Sequence, residues 1–110
     1  MKMEKIYEFP IEKPLTAQRR KAVEKYISAQ AELADQELVY NWDEDDSGIL
    51  HISASPVVVQ VRFQKSIVEL HAAAPLWARL LFTEKKKTEL KQQIEALLFE
   101  AKFITARAAG

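Results

Sequence analysis

The chain has no cysteine, which excludes disulfides, thiolate metal centres and a cysteine nucleophile. Glycine is nearly as scarce, with two among 110 residues. A loop that cradles phosphate needs several residues without a Cβ so that backbone amides can close on the anion, and none can be built here. Net charge is also missing. Sixteen Lys and Arg residues balance sixteen Asp and Glu residues, so no overall field draws the molecule toward nucleic acid or anionic lipid. No apolar run approaches the ~20 residues of a membrane-spanning helix. The opening MKMEKIYEFP lacks the apolar core of a secretory signal. These absences lead us to expect a cytoplasmic protein with no transmembrane segment and no nucleic-acid partner.

What is present suits one folded unit. Hydrophobic residues make up 48% and charged residues 29%, ordinary proportions for a globular domain. We read residues 1–110 as a single domain, with a radius of gyration of roughly 13 Å. The segment KIYEFPI (5–11) alternates imperfectly through Ile6, Phe9 and Ile11, and Pro10 demotes it to an edge strand. From Lys13 to Ala34 the period changes. Leu15, Ala22, Val23, Tyr26, Ile27, Leu33 and Ala34 recur at three- and four-residue spacings, the signature of one helical stripe, with Pro14 suited to its first turn.

Four short alternating runs follow. Leu38, Tyr40 and Trp42 share one side, as do Leu50, Ile52 and Ala54. The later runs place Val57, Val59, Val61 and Phe63, and then Val68, Leu70 and Ala72, in the same way. Alternation of this kind marks antiparallel strands with one face on a core and one toward solvent. The joints are short, at 43–48, at Ser55-Pro56 and at Gln64-Lys65, so a meander is expected. Beyond Pro75 two helical stripes point in different directions. Leu76, Trp77, Leu80 and Leu81 form one, and Leu90, Ile94, Leu97, Leu98, Ala101 and Ile104 the other. A short helix, a break around 82–87 and a long helix would turn both stripes to one core. The expected fold is α+β, a two-layer sandwich. An antiparallel sheet of four to five strands, in the order β-α-β-β-β-β-α-α, carries its helices on one face.

WDEDDSGILH (42–51) is the most chemically suggestive stretch. Asp43, Asp45, Ser47 and Gly48 fall at the first, third, fifth and sixth places of a calcium loop. Such a loop needs a bidentate carboxylate at its twelfth place, where this chain has Ala54. Its flanks alternate as strands rather than as helices. We therefore expect a hairpin turn that pairs Trp42 with Leu50 and Tyr40 with Ile52, with no metal or other cofactor bound beyond weak ion contact.

The two histidines, His51 and His71, fall on the solvent side of their strands. Two-residue turns at Ser55-Pro56 and Gln64-Lys65 would align His51, Gln60 and Glu69 in a row able to hold a polar ligand, and would set His71 beside Val58 and Ser53. Val39, Ile49, Val58 and Ile67 lie on the same open face among polar neighbours. The basic clusters Arg19–Lys21 and Lys85–Lys87 read as solvated faces in a chain of zero net charge. On the last helix Phe99 and Phe103, at i and i+4, lie nearly opposite the Leu90/Ile94/Leu98 stripe. Two phenyl groups on a wet face suggest a contact surface, unless the chain turns at that helix end.

The run VVVQVRFQKSIVELHAAAPLWARLLFTEKKKTELKQQIEALLFEA (57–101) resembles the C-terminal half of the polyhydroxyalkanoic acid system proteins, short bacterial proteins associated with storage-polymer granules. The likeness is one of layout: a strand pair, a short apolar turn of helix near a proline, then a long helix with an Ile/Leu stripe. Upstream, AELADQELVYNWDEDDSGILHIS (31–53) resembles the family's helix-then-strand arrangement with an acidic turn. The resemblance implies a non-enzymatic accessory protein that contacts a granule surface or a granule protein, and it brings no catalytic residues. Two other classes fit the residues themselves. One is a small-ligand-binding or enzymatic domain with a cavity lined by Tyr40, Trp42, Phe63 and Trp77. The other is a homo-oligomer assembled through the open sheet face.

Overall fold

A computed structural model describes residues 3–33, 38–54, 57–75 and 83–105. Its elements run β1 (Glu4–Pro10), α1 (Ala17–Leu33), β2 (Val39–Trp42), β3 (Ile49–Ala54), β4 (Val57–Phe63), β5 (Ile67–Ala73) and α2 (Glu84–Glu100). This is the expected α+β order. The five strands form one antiparallel sheet in the order β1-β5-β4-β3-β2. Strands β2 to β5 make the meander, and β1 joins its far side. The short helix expected at 76–82 lies outside the described residues, as does Trp77.

β1 is an edge strand, as Pro10 requires. Its imperfect alternation has a physical cause. Lys5 pairs with His71 and Tyr7 with Leu70, so Ile6 is an extra residue with no partner on β5. A bulge of this kind lets Ile6 and Phe9, three apart, both reach the core. Helix α1 starts later than Pro14 suggests. The Thr16 hydroxyl accepts the Arg19 N–H at 3.2 Å and its carbonyl accepts the Arg20 N–H at 2.8 Å, so Thr16 acts as the N-cap. Pro14 precedes the helix and offers its carbonyl to Arg19 Nη1 at 2.8 Å.

One apolar cluster unites the layers. Val23 and Ile27 of α1 and Ile94, Leu97 and Leu98 of α2 pack with Leu50, Ile52, Val59, Val61, Val68, Leu70 and Ala72 of the sheet. Both helices therefore cover the same face. Among the described residues no whole polar or charged side chain is buried, although the Nε atoms of Arg19 and Arg20, in the first turn of α1, are buried without a hydrogen-bond partner. Leu50, Leu70, Val61, Val68, Val23 and Leu98 are essentially inaccessible. Removing a side chain of this kind costs ~2–5 kcal/mol. The Cα radius of gyration is 13.4 Å.

α2 begins within the expected break. The Thr83 hydroxyl accepts the Lys86 N–H at 3.4 Å and caps the helix at Glu84. Its far end differs from the expectation. The helix stops at Glu100, and Lys102 adopts φ 68°. The Lys102 N–H then donates to the Phe99 carbonyl at 3.1 Å, and the Phe103 N–H to the Leu98 carbonyl at 2.9 Å. This is the pair of bonds of a Schellman ending, in which a left-handed residue reverses the chain. Phe103 is carried over the helix end into the core, where it is 0% exposed and its ring lies 5.1 Å from that of Phe63. Phe103 is thus a core residue and not part of a contact surface. Phe99 alone stays outside, at 37% exposure.

Candidate functional site: the second face of the sheet

Among the described residues, no helix or strand lies over the second face of the sheet. Its side chains are ordered in rows by the strand register. The central row is Lys5, His71, Gln60, His51 and Asn41. On one side lie Glu8, Glu69, Arg62 and Ile49, and on the other Ala73, Val58, Ser53 and Val39. Ile67 stands opposite Pro10 at one end.

This register corrects the expected alignment of His51, Gln60 and Glu69. His51 does pair with Gln60, but Gln60 pairs with His71, and Glu69 pairs with Arg62. The cause is the β4–β5 turn. The Gln64 N–H donates to the Ile67 carbonyl at 2.9 Å, which puts the turn on Lys65-Ser66, one residue later than expected. The pairing then shifts by two residues. A two-residue shift leaves every side chain on its face but changes its cross-strand neighbour. Phe63 gains Val68 as its partner, so the core face is apolar up to the turn.

Several polar groups of this face are bonded to one another. His71 Nε2 lies 2.9 Å from Glu69 Oε1, and Gln64 Nε2 donates to Glu69 Oε2 at 3.0 Å. His51 Nε2 lies 2.9 Å from Asp43 Oδ1. Arg62 Nε donates to Gln60 Oε1, and Lys5 Nζ to Glu8 Oε1 at 2.8 Å. The bond with His71 holds the Glu69 carboxyl below its ordinary range, helped by the nearby Lys5 charge and by Gln64. The side chains of His71 and Glu69 are only 12% and 18% exposed, and Ala73 in the neighbouring row is 5% exposed. Val39, by contrast, is 59% exposed.

At the rim of the face, Asp43 explains the acidic turn. Trp42 pairs with Leu50 and Tyr40 with Ile52, the hairpin expected from the sequence. One Asp43 oxygen accepts the N–H groups of Asp45 and Asp46, both at 3.0 Å, and the other meets His51. These bonds, His51 first and then the two amides, hold the Asp43 carboxyl below its ordinary range. Asp46 in turn accepts the Gly48 N–H at 2.9 Å. Gly48 is required by space, because a Cβ there would come within 2.9 Å of the Phe63 carbonyl oxygen. Among the described residues no three His, Asp or Glu side chains converge as a metal site would need. Ala54, at the twelfth place of the loop pattern, sits on β3 opposite Val57.

Other candidate groups are engaged within the fold. Arg20 lies 4.5 Å over the Trp42 ring, whose Nε1 donates to Glu24 Oε1 at 2.7 Å. Lys87 meets Glu4 at 3.3 Å, and Lys86 meets Glu89 at 3.5 Å. Trp42 packs on Phe63 at 5.9 Å and Phe63 on Phe103 at 5.1 Å. These rings pack against one another, and Trp77, the fourth residue of the expected aromatic cavity, lies outside the described residues.

No known protein family, curated protein or solved structure matches this chain. The residues must therefore be read on their own chemistry. No described helix is long and apolar enough to cross a membrane.

Proposed function

We propose that this chain is a non-enzymatic binding domain that acts by contact through the second face of its sheet. One observation carries this reading. Several polar side chains of the face are already hydrogen-bonded to each other, His71 with Glu69, Arg62 with Gln60, Lys5 with Glu8 and His51 with Asp43, while Ile49, Val58, Ile67 and Val39 stand between and beside them. Covering such a face removes apolar area from water, and the bonds already made within it lower the number of polar groups that must find new partners. The side-chain bonds also fix rotamers in advance, which reduces the entropy lost on contact. Each histidine is held by a carboxylate, and among the described residues neither is hydrogen-bonded to a hydroxyl that it could activate.

The resemblance to the polyhydroxyalkanoic acid system proteins supplies the setting for this reading: a cytoplasmic accessory protein of storage-polymer metabolism, touching a granule protein or the granule surface. The test is fractionation of cells grown with and without storage polymer, using the wild-type chain and the double variant Val58→Glu/Ile67→Glu. The wild type should travel with a larger assembly or with granules, and the variant should be recovered free with an unchanged melting temperature. Identical fractionation of the two proteins would rule out contact through this face.

A further inference from the structure

The segment that follows α2 is fastened by one residue. Among the described residues, every hydrogen bond that ties residues 103–105 to the fold beyond α2 goes to Glu12. The Glu12 N–H donates to the Phe103 carbonyl at 2.9 Å. The Glu12 carboxylate accepts the Thr105 N–H at 2.8 Å and the Thr105 hydroxyl at 2.9 Å and 3.1 Å, one contact to each oxygen. Glu12 is exposed and stands outside the sheet ladder, one residue past Ile11, whose N–H still reaches the Ser66 carbonyl at 2.9 Å. Parting Glu12 from residues 103–105 therefore breaks no bond between strands.

The other end of the segment is a strained turn. Lys102 holds φ 68°, a left-handed conformation that costs energy for a residue with a Cβ. Between Lys102 and Glu12 the main apolar anchor is Phe103, whose ring lies 5.1 Å from that of Phe63. We infer that residues 102–105 form a strap that opens about Lys102 while the sheet stays folded, and that protonation of its latch, Glu12, releases it. A carboxylate accepts hydrogen bonds more strongly when charged than when neutral. The Thr105 amide, then its hydroxyl, hold the Glu12 carboxyl below its ordinary value of 4.5, and Lys13 adds to this. The groups that bear on Glu12 are thus Thr105 from the strap and Lys13 from its own segment, and neither changes charge in acid. The latch is fully engaged above pH 4.5 and is lost as the pH falls through the lower folded value. Opening lifts Phe103 from Phe63, so acid uncovers apolar surface at this end of the core by a local step, short of global unfolding.

Amide hydrogen exchange on the full chain tests this, with rates corrected for the intrinsic effect of pH. The Phe103 and Thr105 amides are compared with those of β4 at neutral pH and below pH 4.5. In the wild type the strap amides should exchange while β4 stays protected, and their protection should fall several-fold in acid. In Glu12→Gln it should already be several-fold lower at neutral pH and should no longer depend on pH. Strap amides that exchange only together with β4 overturn the strap. Protection in Glu12→Gln equal to that of the wild type at both pH values overturns the latch. Should Glu12→Gln fail to fold, Thr105→Val removes the hydroxyl bonds alone and should lower the protection of the Phe103 amide at neutral pH; unchanged protection there is equally contrary.

Discussion

Asp43 organises its end of the sheet with a single carboxylate. It takes the amides of Asp45 and Asp46 with one oxygen and His51 with the other. All three bonds favour the charged form, and its proton affinity is lowered from an ordinary value of 3.8. A depressed carboxyl contributes stability that is fully present above its unfolded-state value. That contribution disappears as the pH falls through the lower folded value. The variant Asp43→Asn should therefore be less stable than wild type at neutral pH, and the gap should close as the pH drops below 3.8. Urea midpoints measured across that range check this; a gap independent of pH would contradict it. The carboxylate spacing in the sequence suggested calcium, and Ala54 argued against it. The use Asp43 makes of His51 was not visible, because it depends on how the turn folds back beside β3.

At the level of the element, the end of α2 decides the fate of two aromatic residues. The stripe Leu90, Ile94, Leu97 and Leu98 was legible because burial follows the 3.6-residue period. The stop after Glu100 was not, because the left-handed position is held by Lys102 instead of the glycine that usually marks it. A continued helix would have left Phe103 beside Phe99 on the surface. Instead the two residues separate, one into the core and one outside. Phe103→Ala should cost ~3–5 kcal/mol of stability, and Phe99→Ala ~0.5 kcal/mol. Lys102→Gly should raise stability by ~1 kcal/mol by relieving the positive φ. Denaturant melts of the three variants give these values. Equal losses from the two phenylalanines would mean that the chain does not reverse at Lys102.

For the whole molecule, alternation along β2 to β5 identified the core face, and the helical stripes identified the covering layer. The fold class and the meander were legible for that reason. The rows across the open face were only half legible. Strand alternation has a period of two and cannot detect a two-residue shift, so the pairing of Gln60 with His71 depended on a turn sited at Lys65-Ser66. That shift placed both histidines beside Gln60 and set Glu69 against Arg62. The result is a face of mixed charge, with several of its polar side chains bonded to one another, on the side of the sheet away from both helices. If this face works by being covered, its residues should be shielded in the native assembly. The most direct measurement is the maleimide reactivity of single thiols at Ser53→Cys and Gln92→Cys in the native cell extract, each compared with the unfolded chain. We predict strong protection of the Ser53→Cys thiol and free reaction of the Gln92→Cys thiol. Equal reactivity at the two positions would contradict a covered sheet face.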